Sequence, residues 1–204
     1  MRLIGMLDSP YVRRVAISLK LMELPFAHDA LSVFRTYDAF AAINPAVKAP
    51  SLVTDEGTVL MESQVILEYV ESLVPSEQRL TPNDARILAR HQRIVGIALA
   101  AMEKSVQIVY EINLRPADKQ HAPWLERVEG QLAAAYGMLE AELTGAEGWI
   151  FGATPTQADV TAAVAWRFTE TLLSEMAPRL GGSALRAFSA RAEATPAFAS
   201  TPLF

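Results

Sequence analysis

Every stretch of this chain with the character of a β-strand lies before residue 62, and almost nothing after residue 83 has it. Strand backbones must pair their polar groups with a neighbour. The early strands therefore have to make one small sheet among themselves, while the rest must bury its apolar faces helix on helix. The strand candidates are residues 2–7, 26–31, 51–53 and 58–61. The last two flank Asp55-Glu56-Gly57, a hairpin signal. The first two are separated by Val12, Val15, Ala16, Leu19 and Met22 at helical spacing, which predicts a right-handed crossover and parallel pairing. Ser9 reads as the N-cap of that helix and Pro10 as its first residue. Arg13, Arg14 and Lys20 are expected on its solvent face. A short helix is expected within residues 34–43. A further helix is expected after Ser63, with Ile66, Tyr69, Val70 and Leu73 turned inward.

The order βαβαββα thus fills the first domain, residues 1–76, and a linker at 77–83 follows within the proline-bearing, polar stretch VPSEQRLTPN. Residues 84–204 read as an all-helical domain. Long helical patterns cover 84–113 and about 119–143, where Gly145 and Gly148 end the second. Thr156 with Asp159 resembles a capping box ahead of an apolar helix over 160–173. A last helix is expected over 184–194, and a tail over 196–204.

The chain has 204 residues, 51% hydrophobic and 20% charged, enough to bury a sizeable core. Its net charge of −5 argues against a nucleic-acid partner. It contains no cysteine, which excludes disulfides, protein thiolate catalysis and cysteine-based metal sites. His28, His91 and His121 show no ligand spacing, so no metal is expected, and the latter two are expected on helix surfaces. No apolar run approaches the ~18 residues of a membrane span, and no signal peptide is read at the start. A soluble, cytoplasmic protein is expected.

The stretch 44–63, NPAVKAPSLVTDEGTVLMES, carries the chemistry. A cis Ala49–Pro50 bond would turn the Ala49 N–H and C=O outward, where an extended peptide pairs as an added strand. Ser63 at a helix start offers a hydroxyl beside unpaired N–H groups, an anion socket. Glu62 offers a carboxylate to a cation. The set suits a small zwitterionic peptide. A trans bond before Pro50, or a socket filled by the protein's own side chains, would count against this reading.

Taken in order, Ser9-Pro10-Tyr11, Asn44-Pro45 with Lys48-Ala49-Pro50, Glu62-Ser63, and Trp149-Ile150-Phe151-Gly152 with the Thr156–Asp159 cap resemble the cytosolic glutathione transferase family over the whole chain. The likeness is to its bacterial serine- or cysteine-type branches. The resemblance implies a thioredoxin-like N-terminal domain and an all-α C-terminal domain. It implies glutathione as co-substrate, a small electrophile as second substrate, and a homodimer. Glu62 and Ser63 would hold the γ-glutamyl group. Ala49, presented by Pro50, would pair with the cysteinyl part, and Lys48 or Arg35 would meet the glycyl carboxylate, with Phe34 a further contact. Ser9 would stabilise the thiolate, with Tyr11 as the other hydroxyl nearby. Ser9 is equally well explained as a plain helix cap. The electrophile pocket, placed by the resemblance between the domains, would draw on Tyr11, Met102, Tyr110 and Trp166. Competing readings on this fold are glutathione-dependent isomerase, dehalogenase or peroxidase chemistry, and a non-catalytic protein-binding module.

Overall fold

The computed structural model describes residues Met1–Phe204. The elements run β1 (Arg2–Ile4), α1 (Pro10–Leu21), β2 (Ala27–Asp29), α2 (Tyr37–Ala41), β3 (Ser51–Val53), β4 (Val59–Met61), α3 (Ser63–Glu71), α4 (Ala85–Asn113), α5 (Ala122–Leu143), α6 (Gln157–Leu172), α7 (Ala177–Leu180), α8 (Ser183–Glu193) and α9 (Pro196–Ala199). They divide into two compact units. One holds Met1–Asn83 together with Ala194–Phe204, and the other holds Asp84–Glu193.

In the first unit the strands form one sheet in the order β2-β1-β3-β4. β1 and β2 are parallel, and β1–β3 and β3–β4 are antiparallel. Leu3 lies opposite Leu52, and Leu52 opposite Leu60. Leu3 and Leu52 meet Val12, Val15 and Leu19 of α1 and Ile66, Leu67 and Val70 of α3 in one buried cluster. Each such side chain contributes ~1.5–3 kcal/mol by leaving water.

β1 is shorter than the sequence pattern predicts. It ends at Gly5, whose φ of +134° favours glycine and turns the chain toward α1. A Cβ at Gly5 would fall 2.6 Å from Val12 Cγ2 and 3.3 Å from Ala49 Cβ, so the β1–α1 loop and the Ala49 loop pack together there.

Two expectations fail here. Arg13 and Arg14 do not face solvent; both are buried. The reason is that α1 is covered on several sides, by β1, α3 and α9. The second failure concerns the tail. Residues 194–204, expected with the helical domain, belong to the first unit. Arg13 Nε donates to Thr201 O at 2.8 Å, and Lys20 Nζ donates to Ser200 O at 2.7 Å.

The second unit is helical throughout. α4 starts at its N-cap Asp84, whose carboxylate accepts from Arg86 N at 2.9 Å. α4 packs on α5 and α6, and α6 on α8. The cap before α6 is closed. Asp159 Oδ2 accepts from Thr156 N and Oγ1 at 2.8 and 2.6 Å, and Oδ1 accepts from Ile150 N at 2.8 Å. Tyr136 of α5 meets Trp166 of α6 edge to face, with ring centroids 5.2 Å apart.

His91 corrects another expectation. It is buried, and its Nε2 accepts from Ala158 N at 3.2 Å, so it helps cap α6. Burial pushes its pKa down to about 4. His121 is exposed at the N-cap of α5, on the surface as expected.

Candidate functional site

The residues singled out in 44–63 are held by a small polar relay. Asn44 is buried; its Nδ2 donates to Ser51 Oγ at 2.9 Å, and its Oδ1 accepts from Ala46 N at 3.0 Å. Ser51 Oγ in turn donates to Lys48 O at 2.7 Å. The loop so fixed holds Val47 at a φ of +48°, unusual for a β-branched residue, and ends in a cis Ala49–Pro50 bond. Neither the N–H nor the C=O of Ala49 enters a backbone hydrogen bond, so this edge is open to an extended chain.

Glu62 stands one strand away, at the end of β4, with φ +76°. Its Oε1 accepts from Ser63 N at 3.1 Å, and its Oε2 pairs with Lys48 Nζ at 3.1 Å. Both side chains are about half exposed, so that pair is worth only ~0–1 kcal/mol and exchanges readily. Ser63 is the first residue of α3 and is buried. The socket is therefore narrower than the sequence suggests, because Glu62 already takes the Ser63 N–H. The N–H groups of Gln64 and Val65 have no partner in the chain.

Beneath the socket lies a residue that sequence reading placed in solvent. Arg14 Nη1 donates to Ser63 Oγ at 3.2 Å, and Nη2 donates to Gln64 Oε1 at 3.3 Å. Its Nε is buried without a partner. Burial lowers its pKa to about 10, against the fields of Glu62 and Tyr11. The available signal was an arginine pair inside an apolar helical run, where a fully packed helix leaves no solvent face.

Ser9 caps α1, its Oγ accepting from Val12 N at a long 3.4 Å. It donates its own proton to no group in the chain. Ser9 N bonds Met6 O at 3.1 Å, and Arg35 lies over Met6 with Nη2 3.4 Å from Sδ. Arg35 is thus near the Ser9 loop. Phe34 is exposed, its N–H bonded to Ser32 Oγ at 3.2 Å. Tyr11 is half-buried in the first turn of α1.

Of the residues expected to line an electrophile pocket, Met102 and Trp166 have no accessible surface. Both pack as core of the second unit, as large apolar side chains on a helix covered all round must. Tyr110 is exposed. It lines a surface cleft of about 550 Å³ with Gln107, Glu111, Leu114, Arg115, Pro116 and Trp124. No group of three or more His, Asp or Glu side chains is arranged to hold a metal ion.

The family model described as "Glutathione S-transferase, N-terminal domain" matches residues 3–78, and that described as "Glutathione S-transferase, C-terminal domain" matches residues 122–191. The uncharacterized GST-like protein YibF of Escherichia coli is 30% identical over 143 residues, 70% of each chain. The chain belongs to the glutathione S-transferase family. Another relative of this transferase is a maleylacetoacetate isomerase of Pseudomonas aeruginosa, 29% identical over 72% of this chain and 71% of the relative. Among solved structures, a glutathione S-transferase of Methylobacterium radiotolerans in complex with glutathione sulfonate superposes with a TM-score of 0.87 at 27% identity, covering 98% of this chain and 93% of that one. A glutathione transferase family member of Pseudomonas fluorescens with bound glutathione gives 0.83 at 26% identity, covering 98% and 97%. The first unit of this transferase is the thioredoxin-like domain of the family, and the second its helical domain.

Proposed function

We propose that this protein binds glutathione on its first unit and conjugates the glutathione thiolate to a small electrophile. The observation that carries the reading is the open Ala49 edge beside the Lys48–Glu62 pair and the α3 socket. Glutathione pairs with Ala49 through its cysteinyl backbone. Its amino group takes the place of Lys48 at Glu62, and its γ-glutamyl carboxylate faces the Ser63 hydroxyl and the N–H groups of Gln64 and Val65. Lys48, once released, and Arg35 are the cations for the glycyl carboxylate, with Phe34 at the rim.

A free thiol with pKa near 8.5 is only a few per cent ionised at neutral pH. Ser9 donates its unused proton to the thiolate at the positive end of α1, which favours the anion. Each unit by which the thiol pKa falls corresponds to ~1.4 kcal/mol. The protein forms no covalent bond itself; it holds the thiolate and orients the electrophile. Tyr11 is the first-unit candidate for contact with that electrophile. The second substrate is a soft, small electrophile, and the role is disposal of reactive compounds in the cytoplasm. A homodimer is the working assembly, tested by sedimentation at micromolar concentration.

Calorimetric titration with glutathione tests binding, and turnover of an aryl halide by wild type and Ser9→Ala tests the chemistry. The expected result is glutathione binding in both proteins and a fall in kcat of ~10- to 100-fold in the variant. Full turnover by Ser9→Ala would remove Ser9 from the mechanism. Net consumption of glutathione with product separates conjugation from isomerisation, which regenerates it.

A further inference from the structure

The guanidinium of Arg14 is wholly buried, yet it forms no ion pair. Its hydrogen bonds go to neutral oxygens of Ser63 and Gln64, and Nε has no acceptor. Glu62, the carboxylate whose field reaches it, is engaged with Lys48 and Ser63 N. A buried cation left in this state is costly, because the interior does not replace its hydration. A ligand that brings a negative charge beside it would offset that cost.

The geometry at Ser63 says from which side that charge comes. A guanidinium can only donate. Ser63 Oγ is therefore the acceptor in its bond to Arg14, and its own proton points elsewhere. No group of the chain receives that proton. It lies at the start of α3, where the Gln64 and Val65 N–H groups are also unspent. Three unspent donors thus lie together at the start of α3, with a cation that has no ion-pair partner one hydroxyl behind them. Charge in such a low-dielectric setting is felt strongly through a single intervening group.

We propose that Arg14 is a positioning residue that makes the α3 socket specific for a ligand carboxylate over the corresponding amide. It holds Ser63 Oγ as an acceptor, which turns the Ser63 proton to the ligand, and it supplies the charge that a carboxylate neutralises and an amide does not. This rests on the reading of the socket as the seat of the γ-glutamyl carboxylate. Lysine does not reproduce the arrangement, since a single ammonium lacks the planar fork that reaches Ser63 and Gln64 together.

The test compares glutathione with the analogue in which the γ-glutamyl α-carboxylate is a primary amide. Affinities are measured by calorimetry on wild type, Arg14→Gln and Arg14→Lys, with thermal melting to show that each is folded. Wild type is expected to prefer glutathione over the amide by ~10- to 100-fold. Arg14→Gln is expected to bring that ratio close to one by weakening glutathione alone, and Arg14→Lys to restore part of it. With an aryl halide, the change in Arg14→Gln falls on KM for glutathione, with kcat held within about twofold. A purely structural tie between α1 and α3 would weaken both ligands alike. A folded Arg14→Gln with the wild-type ratio, or a wild type that binds both ligands equally, overturns the proposal. Should neither Arg14 variant fold, Ser63→Ala decides, since an unchanged ratio there overturns it as well. A wild type that binds neither ligand overturns instead the reading of the socket as a glutathione site, an outcome distinct from the others.

Discussion

Two buried serines, one in each unit, show how differently the same side chain is used. Ser105 in α4 donates to Thr169 Oγ1 at 2.6 Å, Thr169 donates to Tyr136 OH at 2.6 Å, and Tyr136 donates to Ala165 O at 2.9 Å. Tyr136 must give its proton to the carbonyl, which fixes the direction of the whole chain. Every proton is spent. Burial raises the Tyr136 pKa, so the phenol stays neutral. Ser63 in α3 accepts from Arg14 and donates to nothing in the chain. The first arrangement is finished and therefore structural. The second is left one partner short, beside residues at positive φ, Val47 and Glu62. Buried polar atoms without a partner occur in both units, at Arg14 Nε in the first and at His91 Nδ1, Gln107 Oε1 and Trp166 Nε1 in the second. Only around Ser63 do they coincide with non-glycine residues at positive φ, the combination expected of a site and not of a core.

That contrast predicts separable effects: changes in the second unit should alter stability and spare glutathione, and changes around the socket should do the reverse. The largest effect is expected for Asp159→Ala. It strands Ile150 N and Thr156 N and opens the cap of α6, costing ~3 kcal/mol. Urea unfolding should show the loss, with glutathione affinity of the folded protein unchanged; a tenfold weaker ligand would break the separation.

His91 gives the next effect. Its folded pKa of about 4 lies below the unfolded value near 6.5, so the unfolded chain binds the extra proton. Stability is therefore full above pH ~6.5 and falls as the pH drops toward 4. His91→Gln keeps an acceptor for Ala158 N and cannot titrate; its unfolding midpoint should change less over that window. An equal slope in both proteins would remove His91 from the acid response.

Glu62→Gln is expected to weaken glutathione about tenfold while costing under ~1 kcal/mol of stability, because the lost Lys48 pair is exposed. Calorimetry beside a thermal melt reads both. The smallest effect is expected for Val47→Gly. Glycine accepts the positive φ freely, but it also loosens the unfolded chain, so the net gain is at most ~1 kcal/mol. A loss of more than that would mean the Val47 side chain, and not its backbone, holds the loop.

Much of this architecture was readable because its signals are local. The Asp55-Glu56-Gly57 turn delivered β3 and β4, and Gly57 has the φ of +85° that such a turn favours in glycine. Ser9-Pro10 delivered the start of α1, and Asp159 three residues after Thr156 delivered the cap of α6, although the helix begins at Gln157 and not at the expected 160. α4 begins just after Asp84, at the edge of the polar stretch. Short elements were read too long. The predicted helix within 34–43 is reduced to Tyr37–Ala41, and the strand within 26–31 to Ala27–Asp29. Helix α7 was not foreseen, since four residues carry no periodicity.

What the sequence determined by itself is the order of the longer elements and the place of the stretch 44–63 between α2 and α3, because caps, turns and hydrophobic period act within a few residues. What only the tertiary structure decided is which side of each helix is a surface. Arg13 and Arg14 are interior because α3 and the returning tail cover α1; His91 is interior because α6 begins against it; Met102 and Trp166 are core because helices enclose them. Burial depends on neighbours far away in the chain, and no local pattern encodes their arrival.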